Sequence, residues 1–199
     1  MREYDFKLVV VVTVSTLVLI LEHYHGIPLQ FPEVTQIVYY LLIPLSISFL
    51  LFKEKPADYG IRLGDWKLAL ASIVICLSIM AVVIYAVADL QAFKDYYRLS
   101  EDVNLGRLFF NAALYFFAWE FLFRGYMLFG LEKSIGKSAI FVQAIPFALL
   151  HIGKPQLEAL TALFGGFILG YIGYRTRSFL PCFFIHLGIY IMMRVFAGF

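Results

Sequence analysis

WEFLFRG, residues 119–125, sets a glutamate and an arginine one helical turn apart, and none of the twelve residues before Glu120 carries a charge. At i and i+4 the two side chains share a helix face, where each can be the other's counter-ion. The whole chain is 62% hydrophobic and 15% charged, against roughly 25% charged in a soluble domain. Its mean hydropathy is +0.83. Polar groups this sparse cannot cover the apolar surface, so lipid is the expected solvent. A charge at the bilayer centre costs at least ~2.5–3.5 kcal/mol on insertion scales. Glu120 and Arg124 therefore either lock helices together as a buried ion pair or belong to a functional site.

A bilayer-spanning helix needs about 20 mostly apolar residues. Seven stretches are candidates: 7–23, 34–52, 68–88, 105–129, 139–152, 156–175 and 180–197. They predict an all-α fold, a polytopic membrane helical bundle with about seven transmembrane helices. No repeat, low-complexity tract or long linker divides the chain, so 1–199 reads as a single integral-membrane domain. The fifth stretch is short and ends at His-Ile-Gly-Lys-Pro (151–155), which predicts a helix that bends or stops inside the protein. Backbone freed there must be buried or line a wet cavity. The N-terminal run ends in Glu-His-Tyr-His with no small-residue cleavage site, so it reads as a retained helix rather than a signal peptide.

With the N-terminus inside, ten Lys and Arg fall in inner segments and four in outer ones, the bias expected of that orientation. The expected location is a bacterial or archaeal cytoplasmic membrane. Residues 89–104 mix both signs of charge and read as a solvated loop, while Trp66, Tyr39, Tyr40, Tyr96 and Tyr97 fall near predicted interfaces. His23 and His25 adjoin a Gly-Ile-Pro turn and are assigned no chemistry. In the sixth stretch Ala162, Gly166 and Gly170 recur every four residues, a spacing that lets another helix approach closely. A net charge of +2, with no basic run interleaved with aromatics, argues against nucleic acid. The expected partner at this point is the bilayer, with the oligomeric state left open.

Further polar residues share the apolar stretches. His151 lies four residues after Phe147, just before the expected break, and His186 lies early in the last stretch with Tyr190 one turn on. At 1.5 Å per residue Glu120, His186 and His151 fall roughly 14, 9 and 18 Å from the inner ends of their helices. A common site is within side-chain reach. A carboxylate beside an imidazole can take a proton from water, and a second imidazole can hydrogen-bond the oxyanion formed at an attacked carbonyl. The same residue types also suit zinc, but no HExxH concentrates them, so no cofactor is assigned. Ser and Thr are sparse near these residues and no GxSxG occurs, which leaves Cys182, one turn before His186, as a minor alternative nucleophile. Glu158, four residues past Lys154, is either another acid or half of a Glu–Lys pair.

Glu120-x-x-x-Arg124-Gly125 on one helix, Phe147-x-x-x-His151 on the next and His186 early in the last resemble the CPBP family of intramembrane proteases. That group includes the type II CAAX prenyl endopeptidases and bacteriocin-processing or immunity proteins. The resemblance covers about 105–195, with Leu63-Gly64-Asp65-Trp66 a weaker echo. It implies an intramembrane endopeptidase whose water is activated by Glu and His, with Glu120 as base or its support, Arg124 orienting it and His151 beside the water. His186, helped by Tyr190, would bind the oxyanion, and the implied partner is a peptide or membrane-protein substrate entering from the inner leaflet. The family usually has two adjacent glutamates and ends in His-x-x-x-Asn; here Trp119 and Tyr190 occupy the first glutamate and the Asn positions. The rival readings are a family member that lost catalysis and acts as a scaffold or immunity protein, and a proton-coupled transporter.

Overall fold

The computed structural model describes residues 3–24, 33–100 and 103–198. His25, the turn at 26–28, Glu101 and Asp102 lie outside the described residues. Helix α1 is Glu3–Tyr24, α2 spans 33–50, and α3 is Trp66–Val87. Helix α4 is Gln91–Tyr97, α5 spans 105–135, α6 is Ala139–Leu149, α7 is Gln156–Thr176 and α8 is Leu180–Ala197. Seven of these coincide with the seven apolar stretches, and no strand occurs among the described residues. The fold is an all-α bundle. Phe6–Tyr24, Trp66–Val87, Gln156–Thr176 and Leu180–Ala197 are each long and apolar enough to cross a membrane.

Helix α5 is the axis of the bundle. Ala118, Glu120, Phe121, Leu122, Phe123, Arg124, Tyr126 and Leu128 are all inaccessible, so every face of its middle is covered. A helix apolar all round belongs in such a place. Asn104 starts it by accepting the Arg107 N–H at 2.9 Å. Its middle, Phe121–Met127, is wound as a π-helix, a geometry that recurs at functional sites. Around this axis α1, α2, α6, α7 and α8 supply the walls. Helix α3 is the reverse case, with Leu70, Val74, Ile75, Ile79 and Val82 all exposed. A contiguous apolar face of that kind calls for lipid.

The small-residue row on α7 receives α6. A Cβ on Gly166 would sit 2.9 Å from the Ala144 Cβ, and one on Gly170 would sit 2.3 Å from Gln143 Nε2. Gln143 uses the space by donating Nε2 to the Gly166 carbonyl at 2.9 Å. Helix α6 then stops at Leu149, and the chain turns through Gly153 at φ +97° before α7 begins.

Polar clamps close the N-terminal end of the bundle. Glu54 accepts from Lys7 at 2.5 Å, Tyr59 at 2.6 Å and Lys133 at 2.8 Å. Burial opposes the Glu54 charge, but the hydrogen bonds of Lys133, Lys7 and Tyr59 hold its carboxyl down at about 2. The Leu63–Trp66 stretch belongs to this end too. The Asp65 N–H meets the Thr176 carbonyl at 2.9 Å, and the Asp65 side chain caps α3 through Leu68 N.

The loop read as fully solvated contains α4. Phe93 and Tyr97 stack one turn apart and bury against Ile84, Ala88, Met193 and Ala197, while Lys94 and Asp89 pair at the surface. Tyr97 and Tyr40 are thus core residues rather than interfacial ones, whereas Trp66 and Tyr96 are exposed.

Gly170→Leu should break the α6–α7 contact and cost about 1–3 kcal/mol, the usual range for overpacking. Gly165→Leu, where a Cβ meets nothing within 4 Å, should change little. Thermal unfolding of the detergent-solubilised protein tests the difference.

Candidate active site

The pair that opened the sequence reading is formed and buried. Arg124 Nη1 donates to Glu120 Oε1 at 3.0 Å, and neither side chain is accessible. The same carboxylate oxygen accepts from His186 Nδ1 at 2.6 Å, which joins α5 to α8. The Arg124 guanidinium also lies over the Phe147 ring, 4.0 Å from its centroid. This cation–π contact partly replaces the hydration the cation has lost.

His151 completes the group from the broken end of α6. Its Nδ1 meets the Phe147 carbonyl at 2.8 Å, and its ring lies nearly parallel to that of His186 with centroids 6.3 Å apart. A carbonyl can only accept, so Nδ1 carries the His151 proton. The carboxylate fixes the His186 proton at Nδ1 by the same reasoning. In each ring Nε2 remains to act on whatever lies beside it.

Both rings line a cavity of about 450 Å³. Two stripes form much of its wall: Asn111, Tyr115 and Trp119 on α5 face His186, Tyr190 and Arg194 on α8. Phe116 bridges them, with its ring 4.4 Å from that of His186 and 5.2 Å from that of Tyr190. Tyr96, Tyr97 and Lys154 lie on the wall as well, and Gln36, which holds Glu22 at 2.7 Å, lies there too. The Gln36–Glu22 bond lies at the end of α1 opposite Lys7, so the cavity is at the end of the bundle remote from the N-terminus.

Not every candidate reaches the cavity. Glu120 and Arg124 stand behind the wall, as does Phe147. Trp119 lines it, consistent with the roughly 100° between successive helical side chains. The π-helix begins one residue past Glu120 and does not rotate it forward. Glu158 accepts from Lys154 at 2.8 Å and from the Tyr97 hydroxyl at 2.8 Å, away from the imidazoles. Cys182 is buried, with its thiol on the Leu169 carbonyl at 3.1 Å, and does not line the cavity.

Sequence reasoning passed over Asn111, Tyr115 and Arg194. The signal was present: 111, 115 and 119, and again 186, 190 and 194, repeat at i, i+4 and i+8.

With this geometry in place, residues 102–192, a little under half of the chain, match the family model of the type II CAAX prenyl endopeptidase Rce1-like proteins. The match supports CPBP family membership. No curated protein and no solved structure gives a match. The matched segment holds every cavity residue on α5, in the turn after α6 and on α8 apart from Arg194, so the match and the site coincide. The matched segment is thus similar to CAAX proteases, in a chain with four helices long and apolar enough to cross a membrane.

In each imidazole the Nδ1 side is occupied, so only the two Nε2 atoms are free to meet a ligand. Glu120 Oε1 is bonded directly to His186, and His151 Nδ1 is turned to a carbonyl. Among the described residues no three His, Cys, Asp or Glu side chains converge.

Arg124→Met leaves a buried carboxylate with one partner and should cost about 3–5 kcal/mol. Adding Glu120→Met to it should recover part of that loss. Denaturation of the two variants in matched detergent measures both effects.

Proposed function

We propose that this protein is an intramembrane endopeptidase in which a Glu120–His186 pair activates water. The observation that carries the reading is the His186 ring, held through Nδ1 by a buried carboxylate and opening into a cavity beside a second imidazole. Glu120 is then a positioning residue and His186 the base. This reverses the expectation in which His186 meets the oxyanion, because a ring that donates Nδ1–H to Glu120 has a lone pair at Nε2.

The reaction follows from the placement. Water between the imidazoles gives one hydrogen bond to His151 Nε2 and its proton to His186 Nε2 as its oxygen bonds to the peptide carbon. The carbonyl π pair moves onto oxygen, where the Tyr190 O–H donates to it. Glu120 stabilises the imidazolium, and that proton passes to the amine as the C–N bond breaks. Such general acid–base help is worth about 10²–10⁴-fold. Arg124 holds Glu120 directed toward His186.

The substrate is a peptide or membrane-anchored segment that enters at the cavity end. With the N-terminus inside, that end faces outward, so access from the inner leaflet does not suit this cavity. A multi-pass topology of this sense makes a clear prediction. In a Cys76→Ala background, a cysteine in place of Lys94 should react with an impermeant maleimide on intact cells, and one in place of Lys137 should not. The opposite pattern would invert the orientation and restore access from inside.

Trp119 favours the alternative of an inactive binding subunit, since an indole on the wall is no base. Terminus mapping of membrane proteins separates the two readings. A deletion strain carrying the wild type should show at least one cleaved peptide that is absent with His186→Ala, His151→Ala or Glu120→Gln. Identical termini and full phenotypic rescue by all variants would establish the scaffold.

A further inference from the structure

The Tyr190 hydroxyl is a rotor, and an oxyanion donor is useful only if its proton points at the developing charge. Arg194 bears on that direction. Its Nε donates to the Tyr190 hydroxyl oxygen at 3.0 Å, and its Nη1 donates to the Tyr97 carbonyl at 3.0 Å and the Arg98 carbonyl at 3.4 Å. An arginine has no acceptor, so the phenol meets it with a lone pair and its own O–H must turn elsewhere. The guanidinium is a rigid fork; once Nη1 is tied to the two carbonyls, the heading of Nε is set.

Two further observations separate this role from simple stapling. Arg194 bonds a phenol and two carbonyls and lies 5.3 and 5.7 Å from the Tyr190 and Tyr97 ring centroids, and no Asp or Glu lines the cavity among the described residues. An ion pair therefore does not explain it. Nor does seating α4 require it, because Phe93 and Tyr97 are already buried against α3 and α8. His186, Tyr190 and Arg194 also lie one turn apart in sequence along one face of α8, all on the cavity wall.

We infer that Arg194 is a positioning residue, held by the Tyr97 and Arg98 carbonyls, that turns the Tyr190 O–H into the cavity toward the oxygen that becomes negative. The inference rests on the protease reading proposed above. It also gives α4 a part in the site, through its last backbone carbonyls.

The test uses the full chain in proteoliposomes with the peptide segment found by terminus mapping as substrate. Tyr190→Phe and Arg194→Gln should each lower kcat by about 10²-fold, the scale of a lost oxyanion donor, with KM nearly unchanged. The double variant should be no slower than Tyr190→Phe alone, and Arg194→Lys should fall between Arg194→Gln and wild type. Losses that multiply in the double variant, or an Arg194→Gln effect confined to KM, would overturn the inference. Should Arg194→Gln fail to accumulate, Arg194→Lys with and without Tyr190→Phe carries the same comparison. His186→Ala separates the two levels: if it cleaves like wild type, the protease reading fails and this inference with it. If it is inactive while Arg194→Gln is not, only the role of Arg194 fails.

Discussion

The structure depends on one carboxylate that is bonded from two sides where water is excluded. Glu120 lies in the middle of a helix whose every face is covered, and its Oε1 is shared by Arg124 and His186. Desolvating either ion of the pair costs several kcal/mol, which the mutual attraction, the imidazole bond and the Phe147 ring together offset. That requirement reaches well beyond the pair. It fixes the seat of α8 against α5 through His186, and that of α6 through Phe147, whose carbonyl in turn holds His151. A Cβ on Gly173 would sit 3.5 Å from the Arg124 Cβ, so α7 passes close beside it. Four helices are thus registered on one buried charge.

The same arrangement explains why the two histidines are fixed in one tautomer. A carbonyl and a carboxylate are both acceptors, and each binds the Nδ1 side of its ring. The proton-accepting nitrogens are then the ones left for the cavity. On the proposed reading this is the step that converts a structural ion pair into a site. The carboxylate serves the imidazole, and the imidazole, not the carboxylate, meets water.

Much of this was legible in the sequence. Apolar runs gave seven of the helical segments, four of them long and apolar enough to cross a membrane rather than the seven expected, because a span must match the bilayer in length and hydropathy. The Glu120–Arg124 contact followed from i,i+4 spacing, and the Ala162–Gly166–Gly170 row from the need for close approach. The bond between Glu120 and His186 was not legible, since spacing within a helix says nothing of which helix lies opposite. Helix α4 was missed because its two buried aromatics are diluted by Lys94, Asp95 and Gln91, and mixed charge reads as loop. Arg194 was counted among outer cations for the same reason. A long side chain near a helix end usually snorkels to water, whereas this one folds back onto Tyr190 and two carbonyls.

Trp119 is where the sequence and the family pattern part, and the geometry gives that departure a definite meaning. The position lines the cavity, so a glutamate there would face a substrate directly, while Glu120 faces the imidazole behind the wall. Replacing the first by tryptophan removes a carboxylate from the cavity but leaves the second one's contacts unaffected. It also adds an aromatic surface stacked on Tyr115, with ring centroids 5.4 Å apart, and makes that wall more apolar. With Lys154 and Arg194 also on the wall and no carboxylate among the described lining residues, the cavity's ionised side chains are cationic. On the proposed reading, chemistry in such a space falls to neutral bases. His151 and His186 are the two side chains on the wall able to take that part, and the carboxylate that supports one of them is buried where Trp119 cannot disturb it.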